Sequence, residues 1–433
     1  MAKKQNVRKP QYKSSRWDKL DNTANLFPVI VSEDVSNVYR VSVTLKEDID
    51  EEILQQALDR VLPYFDVFRT KLKRGIFWYY FETNHKPSPR VHQEDRYPCA
   101  YINPYINNDY QFRVTYYKKR INLEVFHVVT DGNGAIMFLR ELTYQYLRYR
   151  YHELEVAEGD NLKPETSLDR EDSYVKNYTH SAKKGYKTEK AYIITGEKFS
   201  AGCFGIIHGY VNLPQLKEVC KSHGVTINQY LISLFIYSVY RECLKSQPCD
   251  NPISVCVPVN LRPYFDSDTL KNFFTVVSAV FKAEKESYTF EEILGEVSEG
   301  LKEQINKDNL EKLFSYNVSN EKSMMIRAVP LFIKNIAMKL IYKSSARANT
   351  STITNLGMIK VDEAYEEYID KFHVVLSMSK GQNIKGSVCT YKDTLVFTFS
   401  SAVREAYVPK RFFRHLAEAG VEVSVETNGV YYE

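Results

Sequence analysis

Little in this sequence points to a metal, a nucleic acid or a membrane span. Seven cysteines stand at 99, 203, 220, 243, 249, 256 and 389, an odd number with no Cys-x-x-Cys pair. That pattern argues against a zinc site and against a disulfide framework, and so for a reducing compartment, read as the cytoplasm. No His-Glu-x-x-His occurs. Gly132-Asn133-Gly134 begins like a dinucleotide-binding motif but has Met137 where the third glycine belongs. The 58 basic and 54 acidic residues leave a net charge of only +4, no footprint for nucleic acid. No apolar run approaches the length of a span. The most apolar helical stretch, Leu331 to Tyr342, is broken by Lys334, Asn335 and Lys339. The N-terminus carries no apolar signal core.

What the sequence does hold is one organised stretch, Leu123 to Ala135. Ile121, Leu123, Val125 and His127 share one parity, so on a strand they share one face, with Asn122 and Glu124 on the other. His127 is thereby sent towards an apolar side. Asp131-Gly132-Asn133-Gly134 is turn chemistry. A helix follows, with Ala135, Phe138, Leu139, Leu142 and Tyr146 on one stripe. A histidine ending a strand, four residues before an aspartate on a turn, is a candidate base with an electrostatic orienter beside it. A hydrogen-bonded core histidine is the competing reading.

The rest is mixed, with strands and helices interleaved in both halves. Residues 1–16 carry six Lys/Arg and no acid and read as a mobile basic tail. An N-terminal lobe is expected over 17–155. A Glu-, Asp-, Lys- and Ser-rich connection covers 156–198, and a C-terminal lobe runs over 199–433. Asp48 and Glu51 have capping-box spacing ahead of the first long helix. Val225-Thr226-Ile227-Asn228 is expected to cap a long buried helix, Gln229 to Leu244. The fold class is α+β, mixed α/β two-layer lobes. The 33 tyrosines suit a core and surface rich in Tyr, or the lining of an amphipathic pocket.

These residues resemble the superfamily of chloramphenicol acetyltransferase, the nonribosomal condensation domains and the bacterial alcohol acetyltransferases. The family motif is His-His-x-x-x-Asp-Gly. Its second His is His127 here, its Asp is Asp131 and its Gly is Gly132, while Phe126 replaces the first His. Phe68-Arg69-Thr70-Lys71-Leu72 resembles the early Leu-Arg-Thr segment of the family. Val257 to Arg262 followed by Asn272-Phe273 resembles its Val-Asn-x-Arg and Asn-Phe region. Thr354-Asn355-Leu356-Gly357 resembles the Ser-Asn-Leu-Gly turn of the acetyltransferase branch. The likeness runs from about residue 17 to the C-terminus.

The resemblance implies two lobes of one fold with an active-site tunnel at their junction and His127 at its middle. It implies acyl transfer from an acyl-CoA thioester to a hydroxyl or amine acceptor in a ternary complex. His127 is the general base, with no acyl-enzyme, no bound cofactor and no metal. Asp131 would form a salt bridge holding the turn, with Arg262 as its partner. Thr354, Asn355 and Asn272 are candidates for oxyanion or substrate contacts, against a structural turn for the first two and a strand cap for Asn272. Arg69 is expected to support the first lobe. Lys380-Gly381-Gln382 is either a contact for a CoA phosphate or a solvated loop. A donor loaded on an acyl carrier protein and a non-catalytic binding member of the fold are the alternatives. No oligomer is required.

Overall fold

The structure is a computed structural model that describes residues 16–33, 35–154, 171–179, 189–200 and 202–431. The expected basic tail, apart from Arg16, lies outside the described residues, as does most of the expected 156–198 connection.

The first lobe is built on a five-stranded mixed sheet. Its order is Ile369–Leu376, Val38–Leu45, Arg120–Phe126, Phe112–Tyr117 and His92–Gln93. Helices Glu51–Val61 and Gly132–Arg150 pack on one another and on this sheet. On the strands, Val41 lies opposite Leu123 and Val43 opposite Ile121, which makes one face wholly apolar. The first long helix is capped by Asp50, whose carboxylate accepts from the Glu52 and Ile53 amides, rather than by Asp48. Pro63 follows in a short 3-10 turn, where its missing N–H costs nothing.

The second lobe holds a seven-stranded mixed sheet. Its order is Phe274–Phe281, Ile253–Asn260, Ser351–Met358, Ile384–Tyr391, Thr394–Ser401, Gly205–Asn212 and Val423–Thr427. Ser351–Met358 is parallel to both neighbours. Helices Ile227–Glu242, Phe290–Gln304 and Tyr407–Glu418 cover the sheet. Thr226 and Gln229 form the capping box of the first of these. A small third sheet orders Trp17–Lys19, Tyr79–Thr83 and Thr70–Arg74.

One strand departs from the expected lobe division. Ile369–Leu376 lies far inside the 199–433 segment, yet pairs with Val38–Leu45 in the first sheet. The two sheets are thereby laced together: Cys389 Sγ and Ser387 Oγ of the second sheet donate to the carbonyls of Phe372 and Val374 on the crossing strand.

The face opposite the apolar one is polar and nevertheless buried. Glu124, 1 % exposed, accepts from Arg40 at 2.8 Å, from the Cys99 amide at 2.5 Å and from Arg113 on its second oxygen. Arg40 also meets Glu94 at 2.6 Å. Burial alone would raise the Glu124 carboxyl, but Arg40 and Arg113 outweigh it and hold it below the ordinary value of 4.5. Its stabilising contribution is therefore complete above that value and is lost as the pH falls through the lowered one. Glu124→Gln takes from Arg113 the carboxylate it meets and from Arg40 one of the two it meets, leaving it Glu94. The substitution should cost about 3–5 kcal/mol in urea unfolding at neutral pH. The loss should shrink under acid, and an unchanged midpoint would contradict the network's role.

Candidate active site

The stretch around His127 ends the strand Arg120–Phe126, and its turn is tied down from both sides. The His127 amide donates to the Asn37 carbonyl at 3.0 Å and the Val129 amide to Phe126 at 3.0 Å. Asp131 is the N-cap of Gly132–Arg150: its Oδ1 accepts from the amides of Asn133 at 3.1 Å and Gly134 at 3.2 Å. This is what a carboxylate offers a helix start, satisfying two orphan donors at the positive end of the dipole. Its other oxygen reaches the second lobe. Oδ2 accepts from Arg262 Nη1 at 2.8 Å and from the Phe273 amide at 3.0 Å. Arg262 spends its remaining donors on the carbonyls of Thr269 and Lys271 and on Asn260 Oδ1. Tyr39 Oη donates to the carbonyls of Thr130 and Asp131 at 3.0 and 2.8 Å.

Asn272, a candidate for an oxyanion or substrate contact or a strand cap, sits beside the histidine. His127 Nδ1 is 3.1 Å from Asn272 Oδ1. The amide's orientation is set by two acceptors, because its Nδ2 donates to Asp21 Oδ2 at 2.9 Å and to the His127 carbonyl at 3.3 Å. An amide so oriented presents only an acceptor to the ring. Nδ1 therefore carries the proton and Nε2 is left as the basic nitrogen. Asp21 Oδ1 accepts from the Ala24 amide at 2.8 Å. Burial raises the Asp21 carboxyl to about 7, with the Asn272 and Ala24 bonds pulling in the opposite direction. The His127 ring stacks on Phe27 (centroids 4.6 Å apart) and lies 4.9 Å from the Tyr39 ring and 5.6 Å from that of Phe274. Burial pushes the imidazole below its ordinary 6.5, and its own carbonyl, Asp131 and Asn272 offset part of that fall. The ring is thus neutral at neutral pH.

His127 lines a cavity of about 630 Å³. Its wall is mostly apolar surface, with Phe27, Trp78, Tyr79, Tyr174 and Phe274 among the lining residues, and Asn317, Asn320, Glu321 and Arg327 add polar and charged groups. A second cavity of about 1020 Å³ has a basic lining, with Lys198, Lys339, Lys343 and Lys380. Both are covered by one helix, Leu331–Ser345. Leu331, Lys334 and Met338 face the first cavity, and Lys339, Tyr342 and Lys343 the second. Arg69 stays in the first lobe, 3.8 Å from Asp66.

Thr354 and Asn355 line neither cavity. Asn355 Oδ1 accepts from the Gly357 amide at 2.8 Å, closing a bulge in which Gly357 has φ +71°. That turn presents Leu356 to Gly132. Phe126, at the first motif position, is a core residue opposite Val38. Asp21 and Tyr39 were not singled out by sequence reasoning. Asp21 lies over a hundred positions from His127 with no shared motif, and Tyr39 belongs to no motif either.

The two glycines of the turn differ in what surrounds them. A Cβ on Gly132 would meet only the tip of the Leu356 side chain, which can move. A Cβ on Gly134 would overlap Thr130 Oγ1 and come within 2.7 Å of the Leu270 carbonyl oxygen. Those two atoms are bonded to each other across the lobe junction. Gly134→Ala should therefore lower stability by about 1–3 kcal/mol through overpacking, and Gly132→Ala by clearly less, in paired thermal melts. The reverse order would contradict this packing.

No family model matches the sequence. No curated protein matches it either. Solved structures do. The chain is similar to TRI101 of F. sporotrichioides, solved with coenzyme A and T-2, at 11% identity and TM-score 0.63, covering 94% of this chain and 99% of that one. It is similar to polyketide synthase associated protein 5 from Mycobacterium tuberculosis at 13% identity and TM-score 0.61, covering 92% and 96%. It is similar to the first condensation domain of the CDA synthetase at 12% identity and TM-score 0.58, covering 94% and 97%. The chain has the two-lobed fold shared by the condensation domains and the chloramphenicol acetyltransferase-like acyltransferases.

Proposed function

We propose that this chain is an acyltransferase that moves an acyl group from an acyl-CoA thioester to the hydroxyl or amine of a small, largely apolar acceptor. The observation that supports it most is the junction histidine. His127 comes from one lobe, its Nδ1 is held by Asn272 of the other, and it borders a mostly apolar cavity.

In this reading the acceptor lies in the mostly apolar cavity with its O–H or N–H on His127 Nε2. The neutral imidazole takes that proton as the acceptor attacks the thioester carbonyl. The tetrahedral adduct then expels CoA as the thiolate, which recovers the proton from the imidazolium. Asn272 keeps the ring in the tautomer that can accept, and accepts from Nδ1–H more strongly while the ring is charged. Asp131 acts on structure, holding the turn and the lobe register with Arg262. Thr354 and Asn355 keep the wall beside Gly132 in place. The coenzyme enters from the basic side, its phosphates beside Lys198, Lys343 and Lys380. TRI101, a neighbour in fold, was solved with coenzyme A. No acyl-enzyme forms.

A second reading has one observation in its favour: condensation domains match this fold about as well as the acetyltransferases do. The basic cavity would then receive the phosphopantetheine arm of a carrier protein.

Free-thiol release from acyl-CoAs of increasing length, with pooled alcohol and amine acceptors, separates these readings. Acceptor-dependent release is expected, falling roughly 10²- to 10⁴-fold in His127→Ala. Turnover confined to a loaded carrier protein would favour the second reading. No release from folded wild type with any donor would contradict both.

A further inference from the structure

The helix Leu331–Ser345 is oriented against expectation. Amphipathic surface helices turn their apolar stripe inward. Here Phe332, Ile333, Ile336, Leu340 and Ile341 recur at helical spacing on the outward side, with exposures from 46 % at Ile333 to 65 % at Leu340. The inward positions are Leu331, Asn335, Met338 and Tyr342. The short helix before it, Met324–Ala328, exposes Met324 and Met325 still further. The tip of the hairpin between Thr70–Arg74 and Tyr79–Thr83 joins this surface. The Leu331 amide donates to the Ile76 carbonyl at 2.8 Å, and Lys334 Nζ donates to the Phe77 carbonyl at 3.1 Å beneath the Trp78 ring. Ile76 is 76 % exposed, and Phe77 and Trp78 are also exposed. An apolar surface this continuous marks a contact site.

Its charge says what it contacts. From Lys322 to Arg347 the chain holds six lysines and arginines and no acid. On the hairpin, Lys73 and Arg74 lead into Ile76-Phe77-Trp78. Lys339 and Lys343 are exposed beside the outward stripe. Two copies of this chain meeting face to face would set these like charges against each other. An anionic bilayer satisfies both features at once, with apolar side chains in the acyl boundary and lysines among the headgroups. No helix among the described residues is long and apolar enough to cross a membrane, so the contact is peripheral.

We propose that the outward face of Leu331–Ser345, with the hairpin tip at Ile76–Trp78, docks this protein on anionic lipid membranes. Phe77, Trp78, Ile326, Leu331 and Lys334 also line the cavity that holds His127, so docking would hold that cavity beside the bilayer, where a lipid-soluble substrate is concentrated. That use of the membrane rests on the acyl-transfer reading, whereas the docking does not.

The test is cosedimentation of the full chain with vesicles of phosphatidylcholine alone or mixed with phosphatidylglycerol. Wild type is expected to bind the anionic vesicles, to release them as salt is raised, and to leave the neutral ones largely in solution. Ile336→Ser with Leu340→Ser should abolish most binding. Lys339→Glu with Lys343→Glu should weaken it roughly twenty-five-fold or more, at a factor of about five for each lysine lost. All four side chains are exposed, circular dichroism melts check folding, and either pair alone decides the matter. Absence of wild-type binding to anionic vesicles would overturn the proposal, as would binding undiminished by either pair. So would a wild-type dimer in sedimentation velocity that the Ile336 and Leu340 changes convert to monomer, which would make the face an interface between copies. None of these readouts depends on catalytic activity.

Discussion

The carboxylate of Asp131 is the point on which the site depends. One of its oxygens starts a nineteen-residue helix by accepting from the Asn133 and Gly134 amides. The other accepts a guanidinium and a backbone amide from the second lobe. A single side chain therefore fixes the turn after His127 and the register of the two lobes. Such a buried pair adds little net stability, since desolvation offsets most of the attraction, but it penalises every arrangement in which one charge is left alone. Phe273 is held by Asp131, and the next residue back, Asn272, reaches the imidazole. The position of the second lobe is in this way transmitted to the ring.

What was legible in the sequence was local. The strand, turn and helix around His127 could be read because alternation, turn residues and helical spacing all act within about ten positions. The Asp131–Arg262 contact was reachable only through family resemblance. The side chains around the histidine were less legible. Asn272 contacts His127 across 145 positions and Asp21 across 251, and no periodicity encodes such pairings. Asn355 had the polar chemistry of a site but spends it on its own bulge, and Thr354 lines neither cavity. Glu124 had the wrong face by pattern alone, because a polar strand face reads as solvated until a second sheet covers it. The crossing strand Ile369–Leu376 was equally hidden: it reads as an ordinary strand, and only the pairing register with Val38–Leu45 shows which sheet it joins.

The same limit applies to Leu331–Ser345. Its apolar composition was plain, but composition does not say which way a helix faces. In this fold it roofs two cavities of different character, one mostly apolar and one basic, and turns its largest apolar side chains away from both. The chemistry of the roof, the wall and the surface thus changes within four turns of helix, so that the site and its surroundings are shaped by one element.

The most direct measurement on the central claim is a titration of His127 by nitrogen-resolved NMR of its imidazole, assigned with His127→Ala. The neutral ring should carry its proton on Nδ1, leaving Nε2 free, and should become charged only below the ordinary 6.5 because burial disfavours the cation. Replacing Asn272 with leucine should disturb that tautomer. An Nε2–H ring at neutral pH, or a midpoint above the ordinary value, would contradict a histidine poised as a base at the lobe junction.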